Sequence, residues 1–215
     1  MATRPYFMPR HDAVGIFRKD SPDFKWFGGF ALSQQQKCIE AHHAAITSVE
    51  SDVRVLEISS KSMQPEGVQL SAFNLTLTRP EGVCKIESVF QASKVFVGGI
   101  GPHQDLYAHD SMEVRDRVKQ VGAGRALEAF EMDGVRWPLL PRTAFYDWLY
   151  LNALREHPDL GDVLMNYTAF TDIKFNPKRS FNCQAASAAL YVSLRRAGKF
   201  DEAMAGAESF LRFFK

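Results

Sequence analysis

KIESVFQASKVF, residues 85–96, is the stretch on which the reading of this chain turns. At 3.6 residues per turn, Ile86, Val89, Phe90, Ala92, Val95 and Phe96 cover most of a helix circumference, which predicts a core helix over the whole stretch, stopping at Gly98-Gly99. Three polar side chains interrupt that surface. Glu87, Gln91 and Lys94 stand at i, i+4 and i+7, so a carboxylate, an amide and an amine fall on one stripe. Such a stripe is either an ordinary solvent face or the wall of a cleft. Little of the helix is left for water, and a buried lysine and glutamate are costly unless they are paired or line a cavity. The spacing therefore points to a shared polar cleft.

Working outward, VRVLEIS (53–59) and GVQLSAFNLTLT (67–78) read as strands, with RPEG as the turn that closes the second. Upstream, residues 1–30 are aromatic and proline-bearing, hence extended or looped, and a helix is expected to start after Ser33 as its N-cap. Downstream, DSMEVRDRVKQVG (110–122) reads as an amphipathic surface helix, and Asp133-Gly134 between apolar runs as a hairpin turn. PRTAFYDWLYLNALREHP makes a long helix, with Pro141 at its start and Pro158 beyond its end. FTDIKFNP (170–177) is a short strand or loop before an alanine-rich helix over 182–198, and a last helix covers DEAMAGAESFLRFF. No repeat or linker divides these parts. The expectation is one domain over 1–215, of class α+β, helix-dominated with a small β-sheet.

Composition bounds the function. With 215 residues, 46% hydrophobic, 24% charged and a net charge of +1, the chain is globular, and any nucleic-acid contact has to be local. No apolar run is long enough for a membrane span, and MATRPYFMPR lacks the apolar core of a signal peptide. Cys38, Cys84 and Cys183 are odd in number and far apart, which argues against a disulfide framework or a metal site and predicts a cytoplasmic protein. His42-His43 has no ligand partners nearby and reads as a surface pair. The glycine-rich nucleotide motifs, the hydrolase elbow and the zincin motif are all missing.

Two further segments concentrate polar groups. Ser59, Ser60, Lys61 and Ser62 lie where a strand ends, as binding loops do, although a turn of hydrogen-bonding serines explains them equally. FTDIKFNPKRSFNCQA places Asp172, Lys174, Asn176, Lys178, Ser180 and Asn182 ahead of a helix, whose N-terminus offers free backbone N–H groups to an anion. Asn182 is either part of that site or simply the N-cap.

In this order, LSAFN (70–74), ESVFQASK (87–94), AFYDWLYLNALREHPDLGDVLMNY and FTDIKFNPKRSFNCQAASAALYVSL resemble the NADAR family of YbiA-like N-glycosidases across residues 55–197. The family's aromatic-Ser-Asn-Phe and Glu-His-x-x-Gln-Ala-x-Lys elements are met with departures. Ser88 stands for the histidine, Ala72 and Asn74 shift the asparagine, and Cys183-Gln184-Ala185 replaces Leu-Gly. From ATRPYFMP through WFGGFALSQQQK the chain is also similar to the DarT-associated NADAR antitoxins of DarTG systems, with 1–50 as a branch-specific N-terminal extension.

The resemblance implies a hydrolase that removes ADP-ribose from ADP-ribosylated guanine in DNA, with no cofactor and no metal, releasing ADP-ribose and opposing a cognate DarT toxin. It implies Lys94 as a nucleophilic amine, Glu87 as general acid/base and Lys61 as rival nucleophile, with Gln91, Ser60 and Asn74 near the substrate. The pyrophosphate is expected at Lys178, Arg179 and backbone N–H groups of NPKRSFN, with Asp172, Asn176 and Asn182 also binding substrate, and a base is expected to stack on Trp26 or Phe73. Two other functions fit the same residues: an N-glycosidase acting on riboflavin-pathway or nucleotide intermediates, and an antitoxin that masks its toxin without catalysis.

Overall fold

Short helices and short strands alternate along the chain in the computed structural model, which describes residues 1–214 and contains nine of each among them. Strands β1 (Pro5–Pro9) and β2 (Ile16–Asp20) form an antiparallel hairpin; α1 (Leu32–Thr47), β3 (Val55–Glu57) and α2 (Pro65–Gln69) follow. A second hairpin, β4 (Thr76–Arg79) and β5 (Gly82–Lys85), leads into α3 (Ile86–Ala92), β6 (Lys94–Phe96) and α4 (Ser111–Val121). A third, β7 (Leu127–Met132) and β8 (Val135–Trp137), precedes α5 (Ala144–Glu156) and α6 (Pro158–Leu164). Last come β9 (Ala169–Thr171), α7 (Gln184–Arg196), α8 (Phe200–Ala203) and α9 (Ala207–Arg212).

These elements gather into two units. The first joins Met1–Ser71 to His157–Asp201, and the second joins Ala72–Glu156 to the residues from Glu202 onward. In the first unit a sheet runs β2-β1-β9-β3, with β9 antiparallel to β1 and parallel to β3. Tyr6 of β1, Ala169 of β9 and Ile46 of α1 bury one another, flanked by Met8, Val53 and Val55. Helix α7 packs on β1 and β9, and the small buried side chains Ala185, Ser187, Ala188 and Ala189 allow that close approach. In the second unit the sheet runs β6-β7-β8, and aromatic rings fill the core. Phe90 lies 5.1 Å from Phe130, which lies 4.9 Å from Phe145, while Tyr146 meets Phe90 edge-on at 5.2 Å.

The class is α+β with helices dominant, as expected, although three small sheets stand where one was foreseen. The Asp133-Gly134 turn has φ of 54° and 73°, the left-handed pair that a two-residue hairpin turn of this twist needs. Helix α4 is capped by Asp110, whose Oδ1 accepts the Met112 N–H at 2.9 Å, and it ends at Gly122.

Other boundaries move for physical reasons. Helix α1 begins at Leu32, before Ser33, with Ala31 at its N-cap. Residues 67–78 do not form one strand, because Pro65 opens α2 and only Thr76–Arg79 is extended. Pro158 lies beyond the end of α5, as expected, and there it starts α6. Cys183, not Asn182, is the N-cap of α7. The last helix is broken into α8 and α9, with Gly206 interrupting it.

The expected helix over 85–96 also ends early, at Ala92. There the Ala92 carbonyl accepts the His103 N–H at 2.7 Å and the Ser93 carbonyl accepts the Glu131 N–H at 2.8 Å. Lys94 and Val95 then pair with Phe130 and Ala129. A β-branched and aromatic run beside a free strand edge favours the ladder over another helical turn.

Candidate functional site

Helix α3 has no side-chain cap, and its first N–H groups are met by tertiary contacts: Ile86 donates to the Leu75 carbonyl and Glu87 to that of Ala72, both at 3.0 Å. Those bonds seat Glu87 in the first turn, where a carboxylate suits the helix dipole. One turn on, Gln91 donates its Nε2 to Glu87 Oε1 at 2.9 Å, and its Oε1 accepts from Lys94 Nζ. The acid, amide and amine are therefore joined in series, although the amine sits on β6 and not on the helix. Gly101 holds this joint close. A Cβ there would lie 2.1 Å from the Lys94 carbonyl oxygen, and its φ of +96° belongs to the left-handed region.

Burial sets the protonation of the pair. Removal from water pushes the Glu87 carboxyl up from its ordinary value, against the opposing pull of the Gln91 hydrogen bond and the Lys94 and Arg115 charges. Removal from water likewise pushes the Lys94 amine down, with the Glu87 charge opposing. Both shifts run in the direction that acid catalysis and nucleophilic attack favour.

Lys94 and Gln91 open onto a cleft of about 450 Å³ in the second unit. Phe96 and Gly122 form part of its wall, and Arg115 and Lys119, four residues apart on α4, contribute two cations. A Cβ on Gly122 would meet the Phe96 ring at 2.4 Å, so glycine keeps that wall open. Patterning treated 110–122 as a plain surface helix. The signal it carried was the pair Arg115 and Lys119 on one face, beside the buried Val114 and Val118. Ser88 points elsewhere, donating to the His109 carbonyl at 3.0 Å and bonding Ser111 Oγ at 2.8 Å.

The first unit holds a different polar cluster. Glu57 accepts the Ile173 N–H at 2.9 Å and the Thr171 hydroxyl at 2.6 Å, and Thr171 Oγ1 is also 2.8 Å from His43 Nε2. Asp172 accepts the Lys174 N–H at 2.9 Å and Gln184 Nε2 at 3.1 Å. Burial pushes both carboxyls up, Asp172 to about 7 with help from the Glu57 charge. The histidine pair is not on the surface. His42 is fully buried and stacked 4.8 Å from Phe24, and burial lowers both imidazoles to about 4. A histidine next to a second one inside a helix gave no sequence cue to the threonine of β9 that it meets.

The remaining expected residues are scattered. Lys61 and Ser60 follow β3 in the first unit; the Lys61 N–H donates to Ser59 Oγ at 3.2 Å, and Ser60 is exposed. Phe73 and Asn74 sit on an exposed turn of the second unit. Asn176 accepts the Lys178 N–H at 3.0 Å, closing a turn on which Lys178 and Arg179 are exposed. Asn182 Oδ1 is buried without a hydrogen-bond partner. Trp26 is 42% exposed on the rim of a second cleft, in the first unit. Cys38, Cys84 and Cys183 are all buried free thiols. Among the described residues no three His, Cys, Asp or Glu side chains gather as a metal site, and no helix is long and apolar enough to cross a membrane.

A family model described as DarT1-associated NADAR antitoxin matches residues 2–215. No curated protein matches the chain.

Proposed function

We propose a catalytic role for this chain, which belongs to the DarT1-associated NADAR antitoxin family: it hydrolyses the N-glycosidic bond that joins ADP-ribose to guanine in DNA and so reverses the modification made by the toxin. The observation that carries this reading is the hydrogen-bonded series Glu87–Gln91–Lys94, ending in an amine at the cleft.

In the proposed sequence, protonated Glu87 gives its proton to the ribose ring oxygen as the bond from that oxygen to the anomeric carbon breaks. The guanine nitrogen's electron pair forms an iminium at that carbon. The neutral Lys94 amine adds to it and returns a proton to Glu87. Glu87 passes that proton to the guanine nitrogen as the carbon–nitrogen bond to the base breaks, leaving a lysine imine. Water, deprotonated by Glu87, adds to the imine carbon, and loss of the lysine releases ADP-ribose. Gln91 fixes both partners through its two ends. Arg115 and Lys119 share the cleft and take the pyrophosphate, while the exposed Lys178 and Arg179 are kept for DNA phosphates.

The test uses an oligonucleotide ADP-ribosylated on guanine, read by the gel shift and by released ADP-ribose. Borohydride is expected to trap a covalent adduct in the wild type and in Lys61→Ala, and none in Lys94→Ala. An adduct lost in Lys61→Ala and kept in Lys94→Ala overturns the assignment. Full protection of toxin-expressing cells by a Glu87→Gln protein that releases no ADP-ribose would replace catalysis by masking of the toxin.

A further inference from the structure

The cleft of the first unit has no part in the chemistry above. It measures about 260 Å³ and is lined by Trp26, Phe27, Phe30, Gln35, Cys38 and Lys174 among others. That is smaller than the roughly 300–1,000 Å³ of sites that hold drug-sized ligands, and it suits one planar ring system. Trp26 is 42% exposed and Phe30 is 96% exposed, so two aromatic side chains of this cleft present apolar surface to water.

Gln35 supplies an independent sign of a ligand. Its side chain is 91% buried at the floor of the cleft, and its Nε2 donates to the Phe30 carbonyl at 2.8 Å, which fixes the amide orientation. Its Oε1 is left with no hydrogen-bond partner. A buried carbonyl without a donor is unfavourable, and a ring N–H or exocyclic amine entering between the aromatic walls removes that cost. One cation lines the cleft, and two more lie against the rings of its wall. The Arg4 guanidinium lies 5.0 Å over the Trp26 ring, Lys25 Nζ lies 4.9 Å over Phe27, and Lys174 is exposed on the rim. Aromatic walls, one buried acceptor and peripheral cations together match a base presented on a phosphate backbone.

We infer that this cleft binds one unstacked base of a single-stranded DNA, with Trp26 as the stacking platform, Gln35 Oε1 as acceptor for a base N–H, and Lys25 and Lys174 facing the neighbouring phosphates. The inference extends the proposed DNA-directed activity, yet it is tested with unmodified DNA, so the two stand or fall separately.

The experiment titrates the full-length protein with short unmodified single-stranded oligonucleotides and reads tryptophan fluorescence. Of the three tryptophans, Trp137 is buried and Trp148 half-buried, while Trp26 is exposed, so the part of the quench that Trp26→Ala removes reports this cleft. An oligonucleotide is expected to quench, and an abasic strand of equal length is expected to bind more weakly without quenching. Trp26→Ala, followed by a label on the strand, is expected to weaken binding by about 5- to 150-fold, the loss that one base stack gives. Gln35→Leu is expected to weaken it while leaving the quench at saturation. Equal affinity for the abasic and normal strands would overturn the inference in favour of phosphate contacts alone. Quenching by free nucleoside monophosphate as tight as by the strand would overturn it in favour of a small-molecule site. Self-association abolished by Phe30→Ala, with strand binding unchanged, would assign the patch to a second copy of the chain. Release of ADP-ribose with no unmodified-strand binding refutes this inference and spares the catalytic one; the reverse result does the opposite.

Discussion

Glu57 in the first unit and Glu87 in the second are both carboxyls held above their ordinary proton affinity by burial, yet they are surrounded in different ways. Around Glu57 the partners are fixed protein groups: the Ile173 N–H, the Ser59 side chain, the Thr171 hydroxyl and, through it, His43. Full burial leaves it no side on which a substrate can sit. Around Glu87 the chain of bonds runs outward, through Gln91 to an amine at a cleft. Raised proton affinity alone therefore does not mark a reactive acid. What separates the two is whether the hydrogen-bond series ends on the fold or on empty space.

The largest expected effect tests that separation directly. Glu87→Gln keeps an acceptor for Gln91, so the fold is expected to survive while turnover falls by about 10²–10⁴-fold, the range for loss of a general acid/base. Glu57→Gln puts an amide against two donors and is expected to lower stability by about 1–3 kcal/mol while turnover per folded molecule holds. Urea denaturation and ADP-ribose release on both variants check the pair. Loss of turnover in Glu57→Gln at unchanged stability would break the comparison.

Next in size is the glycine beside each site. Gly101→Ala forces a Cβ to 2.1 Å from the Lys94 carbonyl oxygen, and Gly67→Ala does the same to the Glu57 carbonyl oxygen. Each is expected to destabilise by about 1–3 kcal/mol. Only Gly101→Ala is expected also to depress kcat in the folded fraction, because it displaces the amine.

The pH behaviour sharpens the contrast further. Activity is expected to rise with pH as Lys94, pushed down by burial, loses its proton below the usual lysine range, and to fall as Glu87, pushed up by burial, loses its own. In Glu87→Gln the alkaline fall disappears from the kcat profile.

Stability follows the other cluster and gives the smallest effect. The unfolded Asp172 carboxyl ionises near 3.8 and the folded one near 7, so its contribution is complete below 3.8 and is lost as pH rises through 7. The buried histidines act in the opposite sense, costing stability as pH falls from 6.5 toward 4. Between about pH 6 and 7 the two slopes oppose each other, so the carboxyl contribution is read as the difference between the wild type and a variant that lacks it. The urea midpoint of the wild type relative to that of Asp172→Asn is expected to fall as pH rises from 3.8 to 7 and to level off above it.

Local sequence reached some of this and not the rest. The Asp133-Gly134 turn and the amphipathic helix over 110–122 are encoded by neighbouring residues and were legible. The grouping of Glu87, Gln91 and Lys94 was legible too, although for a partly mistaken reason. Helical spacing brings Glu87 to Gln91, but a strand ladder, set by Phe130 far along the chain, places Lys94. The His43–Thr171–Glu57 series joins three elements distant in sequence, and no local pattern announces it. Arg115 and Lys119 looked like solubilising charges because nothing in 110–122 shows which face meets a cavity.

Because the amine is carried by β6, one residue past the end of α3, its direction is governed by a two-fold alternation and not by a helical repeat. Lengthening the Ser93 joint by a single residue would turn Lys94 toward the opposite face of its strand and bring Val95 to the cleft side. A gain of one codon there would disarm the acid–amide–amine series without touching any of its three members. The direction of the amine therefore depends on the length of that joint and not on the identity of the residue that fills it.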